Sequence, residues 1–519
     1  MLFILTLVML FAALALCAVR HMHFFQLNSY KFAEHKVWIG RNAPYLVFLS
    51  VLSLLALVAL PFGEVWGAVI CLAIILIYAL AARPKSRKSS KKPLVFTPRV
   101  IRMLVTEFIF YAVTALVFCL FAPIELLPIY VAAALFICPH VCLLANIINA
   151  PIEKTIRNGY TKEAVAMLRA HPSLKIVGIT GSYGKTSSKY YLNALLSEKF
   201  DVLMTPGSYN TPLGVVKTVR ESLRPTHEVF ICEMGAKYVG DIEELCLIAE
   251  PDIGIITSIG AQHLETFGSL ENIIGTKLEL ADYLSAKGKK VVLNGDCSLI
   301  TENSDKYAKN RILCGRGEGM DLTVSDIRAD EKGTSFTVKM KDGVSFPISV
   351  NLLGEHNVSN VAAAIAVAYE LGMTPEEIAR ASKRIKCAPH RLEIKRSGSD
   401  MIIDDAYNAN PAGTKAALAA LALFEGCKMI ITPGMVELGA ESDAFNKALG
   451  ADAAKVCDYI FLVGSFKSEV IRSGAIEAGY PEEKVRIFER VEDAINAARA
   501  LITNDRKIIL LENDLPDNY

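Results

Sequence analysis

The chain has 519 residues, of which 52% are hydrophobic and 21% charged, and its net charge is +1. That length has room for three or four domains, and that charge carries no signal for nucleic acid, which is not expected as a partner. The 12 cysteines are scattered without a C-x-x-C pair, several of them in apolar runs (Cys17, Cys71, Cys119, Cys138), which favours buried reduced thiols over a disulfide framework or a zinc site.

The apolar excess sits in the first 150 residues and reads as an α-helical transmembrane region, residues 1–150. Five runs are expected to span a membrane: Met1 to Cys17, stopped by Arg20 and His21; Tyr45 to Pro61; Val65 to Ala82; Met103 to Phe121; and Pro123 to Ile148, kinked at Pro128 and Pro139. Each is roughly long enough for a hydrocarbon core of ~30 Å. Arg20, Lys31, Lys36 and Arg41 lie between the first two runs, and Arg83, Lys85, Arg87, Lys88, Lys91, Lys92, Arg99 and Arg102 between the third and fourth. The two remaining turns carry no Lys or Arg. The positive-inside rule then places both basic loops, and everything after Asn149, in the cytoplasm. Membrane lipids are expected partners, with anionic headgroups a further contact of the basic loop.

Lys175 to Thr180 (KIVGIT) has the pattern of a short buried strand, and Ser188 to Leu196 that of a helix. Between them lies Gly181-Ser182-Tyr183-Gly184-Lys185-Thr186-Ser187. Strand, glycine-containing loop and helix form the context of a phosphate loop, whose backbone N–H groups and helix N-terminus hold polyphosphate. Gly181, Ser182, Gly184, Lys185, Thr186 and Ser187 are the candidate ATP-binding residues. Lys185 would reach the outer phosphates, and the Thr186 hydroxyl would bind Mg²⁺. The glycine that fits the first position of the general motif, Gly178, lies inside the strand. Glu233 ends the apolar run Val229 to Cys232, where a carboxylate opposite a phosphate loop suits a Mg²⁺ ligand.

Further blocks follow in order: Asn210-Thr211-Pro212-Leu213-Gly214-Val215, Glu233-Met234-Gly235, Ser258 to Glu265, Lys277-Leu278-Glu279-Leu280, Gly354 to Asn360, His390-Arg391-Leu392-Glu393 and Asp404 to Pro411. With GITGSYGKTS, they resemble the Mur ligase family, which builds the peptide of bacterial cell-wall precursors, and within it the branch that adds D-alanyl-D-alanine. The resemblance covers roughly residues 173–500. It implies an ATP- and Mg²⁺-dependent acid–amino-acid ligase. A carboxylate acceptor is phosphorylated, and an amino acid or dipeptide amine then displaces the phosphate.

The resemblance also implies site roles. His263 helps bind a second Mg²⁺. Lys277 takes up CO₂ as a carbamate and becomes a metal-binding carboxylate, although an ordinary helix-surface lysine is the plain alternative. Asn357 reads the adenine edge with His356 nearby, Arg391 contacts the phosphates and Asp405 the ribose. Asn210, Thr211, Tyr407, Asn408 and Asn410 face substrate, and the loop Gly434 to Gly439 lies near it. The catalytic set is Lys185, Glu233, His263, Lys277 and Arg391; the metal set is Thr186, Glu233, His263 and carbamylated Lys277.

The expected architecture is thus the membrane region, an α/β phosphate-loop Mur ligase domain over residues 151–388, and a Rossmann-like α/β domain over 389–519 that closes on it. Residues 321–351 read as an inserted β segment. Three features depart from the family. Membrane helices stand where soluble members hold the UDP-sugar, so the acceptor is either a small molecule or lipid-linked. His390 stands where a glycine would precede Arg391. The ending Glu512-Asn513-Asp514 replaces a Lys-Gly-Ser type of ending. Two alternatives stay open: the same chemistry on another envelope or poly-amino-acid acceptor, and a non-catalytic ATP-binding membrane scaffold.

Overall fold

The computed structural model describes residues 2–28, 30–32, 35, 40, 93–260, 262, 264–398, 400–407, 409–436, 438, 441–465 and 467–513. The second and third expected spans lie outside the described residues. The chain divides into two compact units, Met1–Gly159 and Tyr160–Tyr519.

The first unit is helical. One helix covers Leu2–Leu27, so Arg20 and His21 end its apolar stretch without ending the helix. Pro98–Phe121 is capped by Thr97, whose side chain accepts from the Val100 N–H. The expected fifth span is a helix over Leu127–Arg169, with Pro139 and Pro151 inside it; it starts later and runs past Ile148. Cys17, Tyr111, Val131 and Cys138 share one core, and Met22, Phe25, Met103 and Cys142 another. Pro98–Phe121 and Ala133–Arg169 are long and apolar enough to cross a membrane.

The second unit holds two sheets. The first is built from β1 (Lys175–Thr180), β2 (Val202–Met204), β3 (Val229–Glu233), β4 (Ile253–Ile256), β5 (Lys290–Asn294), β6 (Arg311–Gly315), β7 (Leu322–Asp330), β8 (Gly333–Met340) and β9 (Ser345–Val350). Their order is β2-β3-β1-β4-β5-β6-β7-β8-β9. Strands β2 to β7 pair in parallel, while β7-β8-β9 form an antiparallel meander. The β segment expected as an insertion therefore extends the same sheet. Its chemistry explains the change of direction: β9 alternates exposed and buried residues, as a one-sided strand does, whereas β1 and β3 are almost wholly buried, as central parallel strands are.

Helices cover both faces of this sheet. Lys185–Leu196 and His356–Glu370 pack on one; the second buries Val361 to Ala368, where small side chains let it lie close. Pro212–Ser222, Asp241–Ala249 and Leu270–Ala286 pack on the other. Strand order reverses at β1, which lies between β3 and β4, and ligands bind at such a switch point outside the carboxyl ends of the strands.

The second sheet comprises β10 (Glu393–Ser397), β11 (Asp400–Asp405), β12 (Cys427–Thr432), β13 (Tyr459–Val463), β14 (Val485–Phe488) and β15 (Lys507–Glu512). Its order is β10-β11-β15-β12-β13-β14, parallel except for β10 against β11. This is the expected Rossmann-like α/β arrangement.

Candidate active site

The loop after β1 turns on two glycines. Gly181 has φ 148°, and a Cβ there would lie 2.1 Å from Thr257 Oγ1. Gly184 has φ 82°, and its Cβ would meet Asn360 Oδ1 at 2.7 Å. Only glycine fits either place. Gly178, by contrast, is packed within β1 against Met234 and Leu280, so the spare glycine belongs to the strand. The loop is fastened to the end of β4: Ser182 N–H donates to Ser258 O at 2.7 Å, and Tyr183 N–H to Ser258 Oγ at 3.1 Å. Thr257 Oγ1 donates to Tyr183 O. The helix Lys185–Leu196 then opens directly from Gly184, with its N-terminal amides toward the loop.

Lys185 Nζ donates to its own loop, to Gly181 O at 2.6 Å and Ser182 O at 3.1 Å. Burial draws its pKa down to about 8, against the nearby Glu233 charge. Glu233, the buried last residue of β3, is held from three sides. Thr186 Oγ1 donates to its Oε1 at 3.1 Å, Asn210 Nδ2 to the same oxygen at 3.0 Å, and Lys189 Nζ stands 2.8 Å from Oε2. A threonine hydroxyl and a carboxylate are the hard oxygen donors that Mg²⁺ prefers.

Lys189 was not legible as a functional residue. It lies one turn beyond Lys185 and is completely buried, its ammonium shared between Glu233 and Gly207 O. It thereby joins the phosphate-loop helix to the carboxylate and to the loop carrying Asn210. Removing one partner of a buried pair typically costs ~3–5 kcal/mol, because the other charge stays buried. Lys189→Met is therefore expected to lower the thermal unfolding midpoint of the second unit markedly. An unchanged midpoint would contradict the pairing.

The second sheet supplies the facing wall. Together they enclose a cleft of about 450 Å³, lined by Ser182, Gly184, Lys185, Thr186, Ser187, Asn210, Glu233 and Asn357 from one side and by Arg391, Asp405, Tyr407 and Asn410 from the other. Arg391 lies between two non-glycine residues with left-handed backbone, His390 (φ 57°) and Leu392 (φ 52°). His390 holds that conformation with Nδ1 2.8 Å from Asp404 Oδ2, and its N–H donates to Glu393 Oε2 at 3.3 Å. The Arg391 guanidinium stacks over Tyr407 at 4.5 Å from the ring centroid, and the Tyr407 hydroxyl meets Ser208 Oγ of the opposite wall.

Other expected residues have local work. Asn357 accepts from Tyr191 OH at 2.7 Å and donates to Leu353 O at 2.9 Å, so much of its polar edge is committed within the phosphate-loop domain. Thr211 caps Pro212–Ser222 and does not line the cleft. Asn410 both lines the cleft and caps Pro411–Ala422. Lys277 is buried in Leu270–Ala286 outside the cleft lining, its ammonium 5.8 Å from the centre of the Phe267 ring. Gly181 shapes the loop without lining the cleft. His263, Asn408, Glu437 and Gly439 lie outside the described residues.

Among the described residues, His390, Glu393 and Asp404 bring potential ligand atoms within 4.8 Å of one another. The Lys395 ammonium, 2.5 Å from Asp404 Oδ2 and 3.3 Å from Glu393 Oε2, already supplies the cation there.

Comparison with known proteins assigns both halves of the cleft. The Mur ligase middle domain matches residues 179–368, and the Mur ligase glutamate ligase domain matches residues 390–512. The UDP-N-acetylmuramoyl-tripeptide–D-alanyl-D-alanine ligase of Bacillus subtilis (strain 168) is 33% identical over 63% of this chain and 70% of its own length. The chain belongs to the Mur ligase family. The corresponding Escherichia coli (strain K12) ligase is 30% identical over 64% of this chain and 73% of its own length. Among solved structures, MurF from Acinetobacter baumannii matches with a TM-score of 0.62 at 28% identity, covering 69% of this chain and 77% of that one. MurF ligase from Thermotoga maritima, solved in complex with ADP, matches with a TM-score of 0.61 at 28% identity, covering 69% and 80%. This Mur ligase is an ATP-dependent amide ligase that uses ATP and Mg²⁺.

Proposed function

We propose that this Mur ligase joins the amine of D-alanyl-D-alanine to the terminal carboxylate of a muramoyl peptide during peptidoglycan precursor synthesis. The observation that carries the reading is the single cleft in which the phosphate loop and Glu233 face Arg391, Asp405 and Tyr407. ATP, when bound, supplies the phosphoryl group that activates the acceptor carboxylate, and Mg²⁺ screens the phosphate charge.

The chain's own residues set the geometry. The amides of the phosphate loop and the N-terminus of Lys185–Leu196 hold phosphate oxygens, and Lys185 adds a cation. Thr186 and Glu233 would hold one Mg²⁺, and His263 with a carbamylated Lys277 would hold a second. Arg391 reaches phosphate from the opposite wall, with Asp405 at the ribose and Asn357 by the adenine. Asn210, Tyr407, Asn408 and Asn410 position the two substrates, while Thr211 serves as the cap of Pro212–Ser222. The Tyr407 hydroxyl meets Ser208 Oγ, so the two walls touch at the rim of the cleft.

The first unit anchors the enzyme in a membrane, with the ligase domains on the cytoplasmic side. Pro98–Phe121 supports this: Phe108 is 72% exposed, Leu120 72% and Phe121 87%, an apolar surface suited to lipid. A reporter active only in the cytoplasm is expected to work when fused after Tyr519; activity of an external reporter there would overturn the orientation. The apolar first unit, which lies before the first matched residue, also favours a second reading in which the acceptor is lipid-linked.

Deleting the chain in cells and weighing the accumulated precursors tests both. A UDP-linked muramoyl tripeptide is expected. A lipid-linked one would favour the second reading, and no accumulated muramoyl peptide would overturn both.

A further inference from the structure

Glu512 ends β15 directly beside Asp405, which ends β11, in a parallel register. Register neighbours on adjacent strands share a face, so two carboxyl groups meet at the carboxyl edge of the second sheet. Asp405 lines the cleft, and its Oδ1 accepts from the Leu392 N–H at 3.2 Å. Glu512 lies behind it with no exposed surface. Its Oε1 accepts from Thr414 Oγ1 at 2.9 Å, whereas its buried Oε2 finds no donor.

An ionised carboxylate so enclosed would leave an acceptor unsatisfied and place two negative charges in contact, both costly. One proton removes both faults. The groups that face the pair are Thr414 from Pro411–Ala422, the Asp405 and Glu512 carboxyls themselves, the Arg391 guanidinium and the neighbouring Asp404 carboxylate, which opposes charge on Asp405. Arg391 and the Leu392 amide favour charge on Asp405.

We propose that Glu512 keeps a proton at neutral pH and donates it from Oε2 to ionised Asp405, so that Glu512 is a positioning residue for the cleft carboxylate. Burial, and then the charge of Asp405, push Glu512 far above the usual carboxylate range. Burial raises Asp405 as well, but the Arg391 charge and the Leu392 N–H oppose it. The wall opposite the phosphate loop then carries one carboxylate and one guanidinium. The consequence for activity rests on the proposed role of Asp405 toward the nucleotide; the proton does not.

Two measurements on the full chain in lipid nanodiscs test this. The infrared difference between wild type and Glu512→Gln at neutral pH is expected to contain the carbonyl band of a neutral carboxylic acid, shifted in heavy water. Its absence overturns the proposal, whatever reaction the enzyme performs. In the ligase assay, Glu512→Gln is expected to stay within about threefold of wild type, since the amide is uncharged and can donate in the same place. Asp405→Asn and Glu512→Leu are expected to lose about 10- to 100-fold, the scale for a lost hydrogen-bonding support. The near-isosteric Gln variant serves as the folding control for Leu. Loss in Glu512→Gln, or tolerance of Asp405→Asn, would overturn the assignment of the proton.

Discussion

Lys185→Ala is expected to reduce acceptor-dependent ADP release by about 10²–10³-fold or more, the scale on which an electrostatic clamp on the transition state is lost. The residue sits where the loop amides and the first turn of Lys185–Leu196 converge, with Glu233 and Arg391 as the nearby charges that act on it. Its ammonium rests on Gly181 O and Ser182 O, both within the loop, so the alanine variant loses few contacts to the rest of the fold. Thermal unfolding should therefore change little while activity disappears. A variant within about threefold of wild type would remove Lys185 from the phosphate site.

Lys277→Ala is expected to be nearly as severe, and its rescue is diagnostic. Burial, and then the positive charge of Lys185, lower Lys277 to about 7, against the opposing charges of Asp241 and Glu279. A substantial part of it is then the neutral amine at neutral pH, and only the neutral amine takes up CO₂. Below that pH the ammonium form dominates, so carbamylation and activity are expected to fall as the solution is acidified and to rise with added bicarbonate. In Lys277→Ala, acetate should restore part of the rate by replacing the carbamate carboxylate, and Lys277→Glu should retain some activity. Rescue by a small amine alone would identify a bare cation and sink the carbamate. Near-normal activity of the alanine variant would mean a structural lysine.

What could be read from the sequence followed the range of the interactions. The phosphate loop was legible because its three parts are contiguous: apolar β1, the constrained glycines and the helix that starts at Lys185. Glu233 was legible from its place at the end of an apolar run. Lys189 was not, since its role depends on Glu233 and Gly207, both far along the chain from it. Glu512 was visible only as a departure from the family ending. That it faces a second carboxyl required the pairing of β11 with β15.

The helices of the first unit show a related limit. Arg20 and His21 end an apolar run but need not end a helix, because hydropathy and helical hydrogen bonding are separate properties; the Arg20 guanidinium instead lies over Phe24, 5.6 Å from the ring centre. The helix through Ile148 likewise runs on past the apolar stretch, through Pro151 and Gly159, into Lys162 to Arg169, which is rich in good helix formers. In residues 321–351 the β segment was legible, but not that β7 joins the edge of the first sheet beside β6.

The central claim is that this cleft forms an amide bond at the expense of ATP. Purified full-length enzyme in nanodiscs, given ATP, Mg²⁺, UDP-N-acetylmuramoyl tripeptide and D-alanyl-D-alanine, tests it by mass spectrometry of the products and by counting ADP. The account predicts a product with the mass of acceptor plus dipeptide less one water, one ADP per bond formed, and no ADP when the acceptor is omitted. ATP hydrolysis that ignores the acceptor, with no condensed product from either the UDP-linked or the lipid-linked form, would contradict it.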